Sequence, residues 1–308
     1  MTAPGPFGAQ TAIGFIGLGS MGAGMAHCLL RRGYRLRIYA RTPQAQALFL
    51  AAGASGAASP AALGSQSELV FLSLPDAAAV EQVLFGPAGL ASGLKPGSVV
   101  VDTSTIAATS ARAFGLRLRE QGVELVDAPV SGGQQGAESG TLGCMAGGPV
   151  GVVAACREVM TAFCKTVTHV GELGAGQTVK ACNQVAVAGA LLGVADALAL
   201  ARSQGVDPAV VQQVLMGGSA KSFSPEKHAP RIIGGDFKPG FRARLMRKDL
   251  RIALETARTV GATLPTAAVA EQLLDTFCED GHGDWDWCGV ALQVQKASGM
   301  TVPDTPGS

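Results

Sequence analysis

The run Thr11-Ala12-Ile13-Gly14-Phe15-Ile16-Gly17-Leu18-Gly19-Ser20-Met21-Gly22 decides how this chain is read. Residues 11–16 are apolar enough to predict a strand, and 22–32 predict a helix. The loop Gly17-Leu18-Gly19-Ser20-Met21-Gly22 therefore lies between a strand and a helix, the context that makes a G-x-G-x-x-G spacing specific for a dinucleotide. Gly17 permits the tight turn, Gly19 lets the backbone approach a pyrophosphate, and Gly22 lets the helix pack against the sheet. Amides at the start of the helix then face the phosphates.

Outward from this loop, short apolar runs at 35–40, 69–74, 98–102 and 123–126, with later ones near 141–146 and 166–170, alternate with helical stretches. That alternation is the signature of a parallel sheet with crossover helices. After Gly171 the beta-branched strand runs stop. An alanine-rich helix is expected over 177–203, then helices over 207–216, 243–260, 265–279 and 287–298, with 217–240 a loop holding at most one short helix. The expected architecture is an α/β Rossmann domain over 11–173, joined by the long helix to an all-α domain over 174–300. A substrate is expected in the cleft between them. Residues 1–10, rich in glycine and proline, read as a loose arm, and Gly140-Thr141-Leu142 and Gly147-Gly148 as turns around a late hairpin.

Composition removes several classes of function. The 308 residues carry 24 basic and 23 acidic side chains, a net charge of +1, with no lysine and arginine block fit for a nucleic-acid groove. The apolar run 185–200 is interrupted by Asp196 and falls short of the roughly 20 residues of a spanning helix, so no membrane is expected. No basic segment followed by an apolar core opens the chain. Seven cysteines without C-x-x-C spacing read as thiols of a reducing, cytoplasmic compartment, and no His/Cys/Asp cluster has metal-ligand spacing.

Polar residues at strand ends are the candidate ligands. After the second strand an NAD enzyme would carry an acidic residue for the ribose hydroxyls; this chain has Arg41-Thr42, which can pair with and donate to a 2′-phosphate. NADP(H) is thus favoured, with NAD(H) the alternative. Leu74-Pro75 ends the strand begun at 69. Thr105, in Asp102-Thr103-Ser104-Thr105, either meets the cofactor or belongs to a cap of the next helix. In Asp127-Ala128-Pro129-Val130-Ser131-Gly132-Gly133, Ser131 offers a hydroxyl and Gly132 and Gly133 unencumbered amides to a small carboxylate. Lys180 is the only charged residue between Glu172 and Asp196, on a helix that otherwise reads as buried. Asn183 and Gln184 follow at i+3 and i+4 on the same face.

These motifs, with Gly174-Ala175-Gly176 before Lys180 and Phe237-Lys238-Pro239-Gly240-Phe241 before Lys248-Asp249-Leu250, give the chain a resemblance from about 13 to 296. It resembles the 3-hydroxyisobutyrate dehydrogenase-like, or beta-hydroxyacid dehydrogenase, family, and within it the branch of 2-hydroxy-3-oxopropionate (tartronate semialdehyde) reductases. The resemblance implies that Lys180 is the catalytic acid/base and that Ser131, Gly132 and Gly133 bind the substrate carboxylate. It further implies that Thr105 and Lys248 contact the cofactor, that Phe241 lies near the nicotinamide, and that Asp249 helps hold the charged residues of the cleft. Other members carry two asparagines where this chain has Asn183-Gln184, a departure shared with the reductase branch. The implied reaction is NAD(P)H-dependent reduction of a small carboxylate-bearing aldehyde, tartronate semialdehyde to D-glycerate; the alternatives are a dehydrogenase of 3-hydroxyisobutyrate or L-threonate, or a reductase of glyoxylate and succinic semialdehyde. A homodimer or homotetramer is expected, because long apolar helices of a small domain leave surface to cover.

Overall fold

The computed structural model describes residues 4–300. Contacts divide the chain into two compact units on either side of the Lys180–Ala181 bond. In the first, strands β1 (Ile13–Ile16), β2 (Leu36–Tyr39), β3 (Ser55–Gly56), β4 (Leu69–Leu72), β5 (Val99–Asp102) and β6 (Glu124–Asp127) form a parallel array in the order β3-β2-β1-β4-β5-β6. Helices α1 (Ser20–Arg31), α2 (Pro43–Ala51), α3 (Pro60–Gly64), α4 (Ala77–Phe85) and α5 (Ala108–Arg119) make the crossovers. All four residues of β1, β4 and β5 are buried, as strands covered on both faces must be. Phe15, Phe71 and Val101 belong to one core cluster, while Ile16, Val70, Leu72 and Val100 belong to another.

Beyond β6, where a late hairpin is expected, the sheet becomes mixed. Strand β7 (Val130–Ser131) and helix α6 (Gly133–Ser139) precede β8 (Leu142–Gly147), which runs antiparallel to both β6 and β7. After helix α7 (Val150–Met160), strand β9 (Cys164–Gly171) pairs parallel to β8. The expected late hairpin is thus corrected: Gly140 and Gly147 bracket one strand, and α7 with its flanks supplies a crossover in place of a tight turn. The loose arm is corrected too, over its described part. Phe7 is buried and its amide donates to Ala155 O at 3.0 Å, while residues 1–3 lie outside the described residues.

The strand registers place the site. Ile16 pairs with Tyr39 and Leu72, Leu72 with Asp102, and Asp102 with Asp127. The segments after these residues therefore leave the sheet along one edge, the carboxyl edge where ligands of open α/β sheets bind.

Helix α8 (Ala175–Ser203) starts two residues before the expected 177 and runs through the unit boundary. Gly174-Ala175-Gly176 looks unfit for a helix start, but the buried carboxylate of Asp127 supplies one. Its Oδ1 accepts from Gly174 N and its Oδ2 from Gln177 N, both at 2.7 Å, so it satisfies two orphan amides of the first turn. By length and composition α8 could cross a bilayer; half of its most apolar window is buried inside the molecule, as in a core helix. The second unit continues with helices α9 (Pro208–Gly217), α10 (Ala229–Gly234), α11 (Ala243–Thr259), α12 (Pro265–Phe277) and α13 (Ala291–Ala297) around a separate core that includes Leu191, Leu250, Leu274 and Phe277. Segment 217–240 holds a π-turn, Ser224–His228, running into α10. The chain is therefore a Rossmann-like domain followed by an all-α domain.

Two buried titratable groups give this fold opposite pH slopes. Burial pushes the Asp127 carboxyl from its ordinary 3.8 up to about 7, with Asp102 adding to the rise and the Gly174 and Gln177 amides opposing it. The folded chain holds this proton more tightly than the unfolded one, so the contribution is full below about 3.8 and is lost as pH rises through about 7. Burial pushes His228 from 6.5 down to about 4, opposed by Asp286 and assisted by Arg231. The ring stands edge-on to Trp287 and Phe223, with centroids 5.0 and 5.3 Å away. Its contribution is full above 6.5 and is lost as pH falls toward about 4. In melting curves, Asp127→Asn should be less stable than wild type, with the gap narrowing from pH 5 to pH 8. His228→Gln should show the reverse, a gap that widens from pH 5 to pH 8. Pairs of parallel curves would contradict these assignments.

Candidate functional site

The glycine loop has the geometry its spacing demands. Gly17 has φ of +100°, and a Cβ there would stand 2.1 Å from Ser73 O. A Cβ at Gly22 would stand 1.8 Å from Gly17 O, so the helix can begin this close to the strand only with glycine. Gly19 is exposed, and a Cβ would meet nothing within 4 Å. That open approach sits beside the first turn of the 12-residue helix α1, where Ser20 and Met21 carry amides without intrahelical acceptors. A dinucleotide pyrophosphate fits this arrangement: the space is on the backbone side and the donors are in place. Leu18 packs against the core beneath the loop.

The loops after β4 and β5 are stitched together. Thr103 Oγ1 donates to Leu72 O at 2.6 Å, Leu74 N donates to Ser104 Oγ at 2.8 Å, and Ser104 N donates to Asp102 Oδ1 at 2.9 Å. Helix α5 is preceded by Ala107, with no side-chain cap, and the Thr103 and Ser104 hydroxyls are engaged on the β4 segment. Pro75 and Asp76 follow at the surface, where Asp76 caps α4 through Ala79 N. Thr105 lies in the stitched loop. Arg41 and Thr42 stand exposed after β2, and Thr42 precedes α2 without a side-chain hydrogen bond to it.

Lys180 and Ser131 are brought to one place. Lys180 is 7% exposed, and its Nζ donates to Val130 O at 2.8 Å, the carbonyl next to Ser131. Gly132 and Gly133 follow with φ of +133° and +64° and are both exposed, a backbone turn only glycines hold at ease. Helix α6, which they open, lies so close to α1 that a Cβ at Gly24 would stand 2.8 Å from the backbone of Ala137 and Glu138.

In the second unit the remaining candidates form two groups. Gln184 Nε2 donates to Asp249 Oδ2 at 2.7 Å, and Asn183 Nδ2 donates to Gln184 Oε1 at 3.0 Å. Asp249 Oδ1 is buried without a well-formed hydrogen bond, and Lys248 Nζ balances its charge at 3.2 Å. Phe241 belongs to the other group: its amide and that of Gly240 donate to Asp286 Oδ2 at 3.0 and 2.8 Å, and Arg231 pairs with the same oxygen at 2.9 Å.

Sequence reasoning singled out neither Asp127, Gln177 nor Asp286. The signal for Asp127 was present: a carboxylate ending the apolar strand Glu124–Asp127 must find buried donors, and a glycine-rich helix start offers them. Gln177 and Asp286 carry no such mark, because a lone amide or surface-like Asp-Trp pair has no periodicity to betray its burial.

Comparison with known proteins agrees with this geometry. Residues 12–171 match the family described as the NAD binding domain of 6-phosphogluconate dehydrogenase, and residues 174–293 the one described as NAD-binding of NADP-dependent 3-hydroxyisobutyrate dehydrogenase. The chain is 38% identical to 2-hydroxy-3-oxopropionate reductase of Escherichia coli, over 92% of this chain and 97% of that one. Among solved structures it is similar to 3-hydroxyisobutyrate dehydrogenase of Mycobacterium tuberculosis with L-serine, at TM-score 0.86 and 30% identity, covering 93% of this chain and 99% of that one. A protein solved in complex with NADP+ and 2-OPP aligns at TM-score 0.83 and 27% identity, covering 92% of this chain and 99% of that one. With both halves matched and the relatives spanned almost end to end, the chain belongs to the 3-hydroxyisobutyrate dehydrogenase-like, or beta-hydroxyacid dehydrogenase, family of NAD(P)-dependent oxidoreductases.

Proposed function

We propose that this enzyme reduces 2-hydroxy-3-oxopropanoate (tartronate semialdehyde) to D-glycerate with NADPH. The observation that carries the reading is the buried Lys180 ammonium held at the carbonyl beside Ser131, which supports a proton donor adjacent to a carboxylate cradle. When bound, the nicotinamide supplies the hydride to the aldehyde carbon. The chain's own work is placement and one proton. Ser131 Oγ and the amides of Gly132 and Gly133 hold the substrate carboxylate. Lys180 Nζ donates its proton to the aldehyde oxygen as charge develops there, and in the reverse direction takes it from the hydroxyl. Asn183 and Gln184, one turn along the helix, orient the hydroxyl on the carbon between. The 38% identity to a reductase of the same substrate supports the choice within the family.

Several further assignments belong to the same reading. Gly17 to Gly22 take the pyrophosphate, and Leu74, Pro75 and Thr105 the nicotinamide half. Phe241 and Lys248 are taken as further cofactor contacts, and Asp249 keeps Lys248 and Gln184 in place. Arg41 and Thr42 take the 2′-phosphate. The free thiols of all seven cysteines support a cytoplasmic setting. Exposed Leu200, Val206, Val210 and Val214 support self-association as a dimer or tetramer.

Three measurements test the reading. Across a panel of small aldehydes and hydroxyacids, kcat/KM should be highest for tartronate semialdehyde with NADPH; a higher value for 3-hydroxyisobutyrate or L-threonate would replace the substrate. Lys180→Ala should cut kcat by about 10²-fold or more with NADPH affinity little changed, as for a positioned acid/base group. Near-normal turnover would remove Lys180 from the chemistry. Arg41→Asp should lower the ratio of kcat/KM for NADPH over NADH, and an unchanged ratio would assign the selection elsewhere.

A further inference from the structure

Gln177 is 2% exposed, and each of its polar side-chain atoms is engaged on one segment of the first unit. Its Oε1 accepts from Ile106 N at 3.1 Å and its Nε2 donates to Ser104 O at 2.8 Å. The two partners bracket Thr105. On the other side, Gln177 N donates to Asp127 Oδ2, so the side chain reaches from a helix turn that is itself anchored. Ser104 is in turn bound through its hydroxyl to Leu74 N. An unbroken set of hydrogen bonds thus runs from Leu74 through Ser104 to Gln177, and Lys180 lies three residues further, on the adjoining turn of the same helix.

We propose that Gln177 is a positioning residue that ties the loop carrying Thr105 to the turn carrying Lys180, so that the cofactor loop and the proton donor keep one relative placement. The proposal rests on the reading of Lys180 as acid/base and of Leu74 and Thr105 as cofactor contacts. The primary amide is needed because its two partners are of opposite kind, one a peptide N–H and the other a peptide carbonyl. Only a group that accepts at one atom and donates at the other satisfies both. A methionine of similar length fills the space and leaves both peptide groups buried without partners. A glutamate keeps the acceptor for Ile106 N. Protonated, it also donates to Ser104 O; ionised, it sets a negative charge against that carbonyl.

The test compares kcat, substrate KM and the NADPH dissociation constant of wild type, Gln177→Met and Gln177→Glu from pH 5.5 to about 8.5, with amide hydrogen exchange over 174–180. Gln177→Met should lower kcat by about 10-fold, in the range expected when a reacting group is misplaced, with KM changed less than about twofold. Exchange at 174–180 should quicken. For Gln177→Glu, kcat relative to wild type should be highest at the acid end and fall as the introduced carboxyl ionises, while the ratio for Gln177→Met stays flat. A residue that merely fills the core would not give this pH-dependent rescue. The proposal is overturned if Gln177→Met keeps kcat within about twofold of wild type, or if the Gln177→Glu ratio does not vary with pH. Should Gln177→Met fail to fold, Gln177→Glu decides by its pH ratio alone. Failure of the catalytic reading is separable: an active Lys180→Ala would sink Lys180 as acid/base, while exchange at 174–180 in Lys180→Ala with and without Gln177→Met would still judge the tie.

Discussion

The carboxylate of Asp127 is the constraint on which the first unit depends. A carboxylate at the end of a buried strand costs several kcal/mol unless donors reach it, and here two peptide amides from a segment 47 and 50 residues later do so. This arrangement dictates its neighbours. A Cβ at Gly147 would stand 2.4 Å from Asp127 Oδ1, and one at Gly176 would stand 2.5 Å from both Asp127 O and Met145 O. Glycine at these positions is the condition for the helix to start against the sheet edge, and the helix start in turn sets where Lys180 falls.

From that point the position of Lys180 is determined at both ends of its side chain. Its backbone is fixed by the anchored turn, and its Nζ by Val130 O on the segment that follows Asp127. The same strand end therefore holds the helix at its beginning and receives the lysine one turn later. A closed loop of this kind, β6 to β7 to Lys180 and back through α8 to Asp127, holds a long flexible side chain at both its backbone and its Nζ.

The parts of the fold that were legible in the sequence are those with periodicity or a local steric demand. The strands at 13–16, 69–72 and 99–102 are apolar runs buried on both faces, the strand at 36–39 buries alternate residues, and Gly17 to Gly22 is a turn that other residues would block. Helix α11 separates its faces clearly, and it was expected within one residue of its ends. A reversal near β8 was legible from its flanking turns, but its partners were not, because a strand pairing antiparallel on one side and parallel on the other has the same alternation as any half-buried strand. For the site, Lys180 and Ser131 announced themselves as polar residues in apolar or strand-end settings. Gln177, Asp286 and the carbonyl of Val130 did not, since their roles consist of hydrogen bonds to backbone far away in sequence.

The chemistry of the reaction explains why the family fold serves several substrates and where this chain would choose among them. Every beta-hydroxyacid presents a carboxylate and, two carbons away, the carbon that changes oxidation state. On the proposed reading Ser131 and Lys180 Nζ address that shared framework, and since backbone groups set their placement they would discriminate little. Discrimination falls to groups that read the middle carbon, and on the proposed reading these are Asn183 and Gln184. Gln184 is not free to adapt: its Nε2 is committed to Asp249 and its Oε1 to Asn183, and Asp249 also carries the charge of Lys248. Asparagine at 184, one methylene shorter, would withdraw from Asp249 and leave a buried carboxylate oxygen without its donor, a loss of about 1–3 kcal/mol. The side chain at this position is therefore coupled in this chain to the Asp249–Lys248 pair.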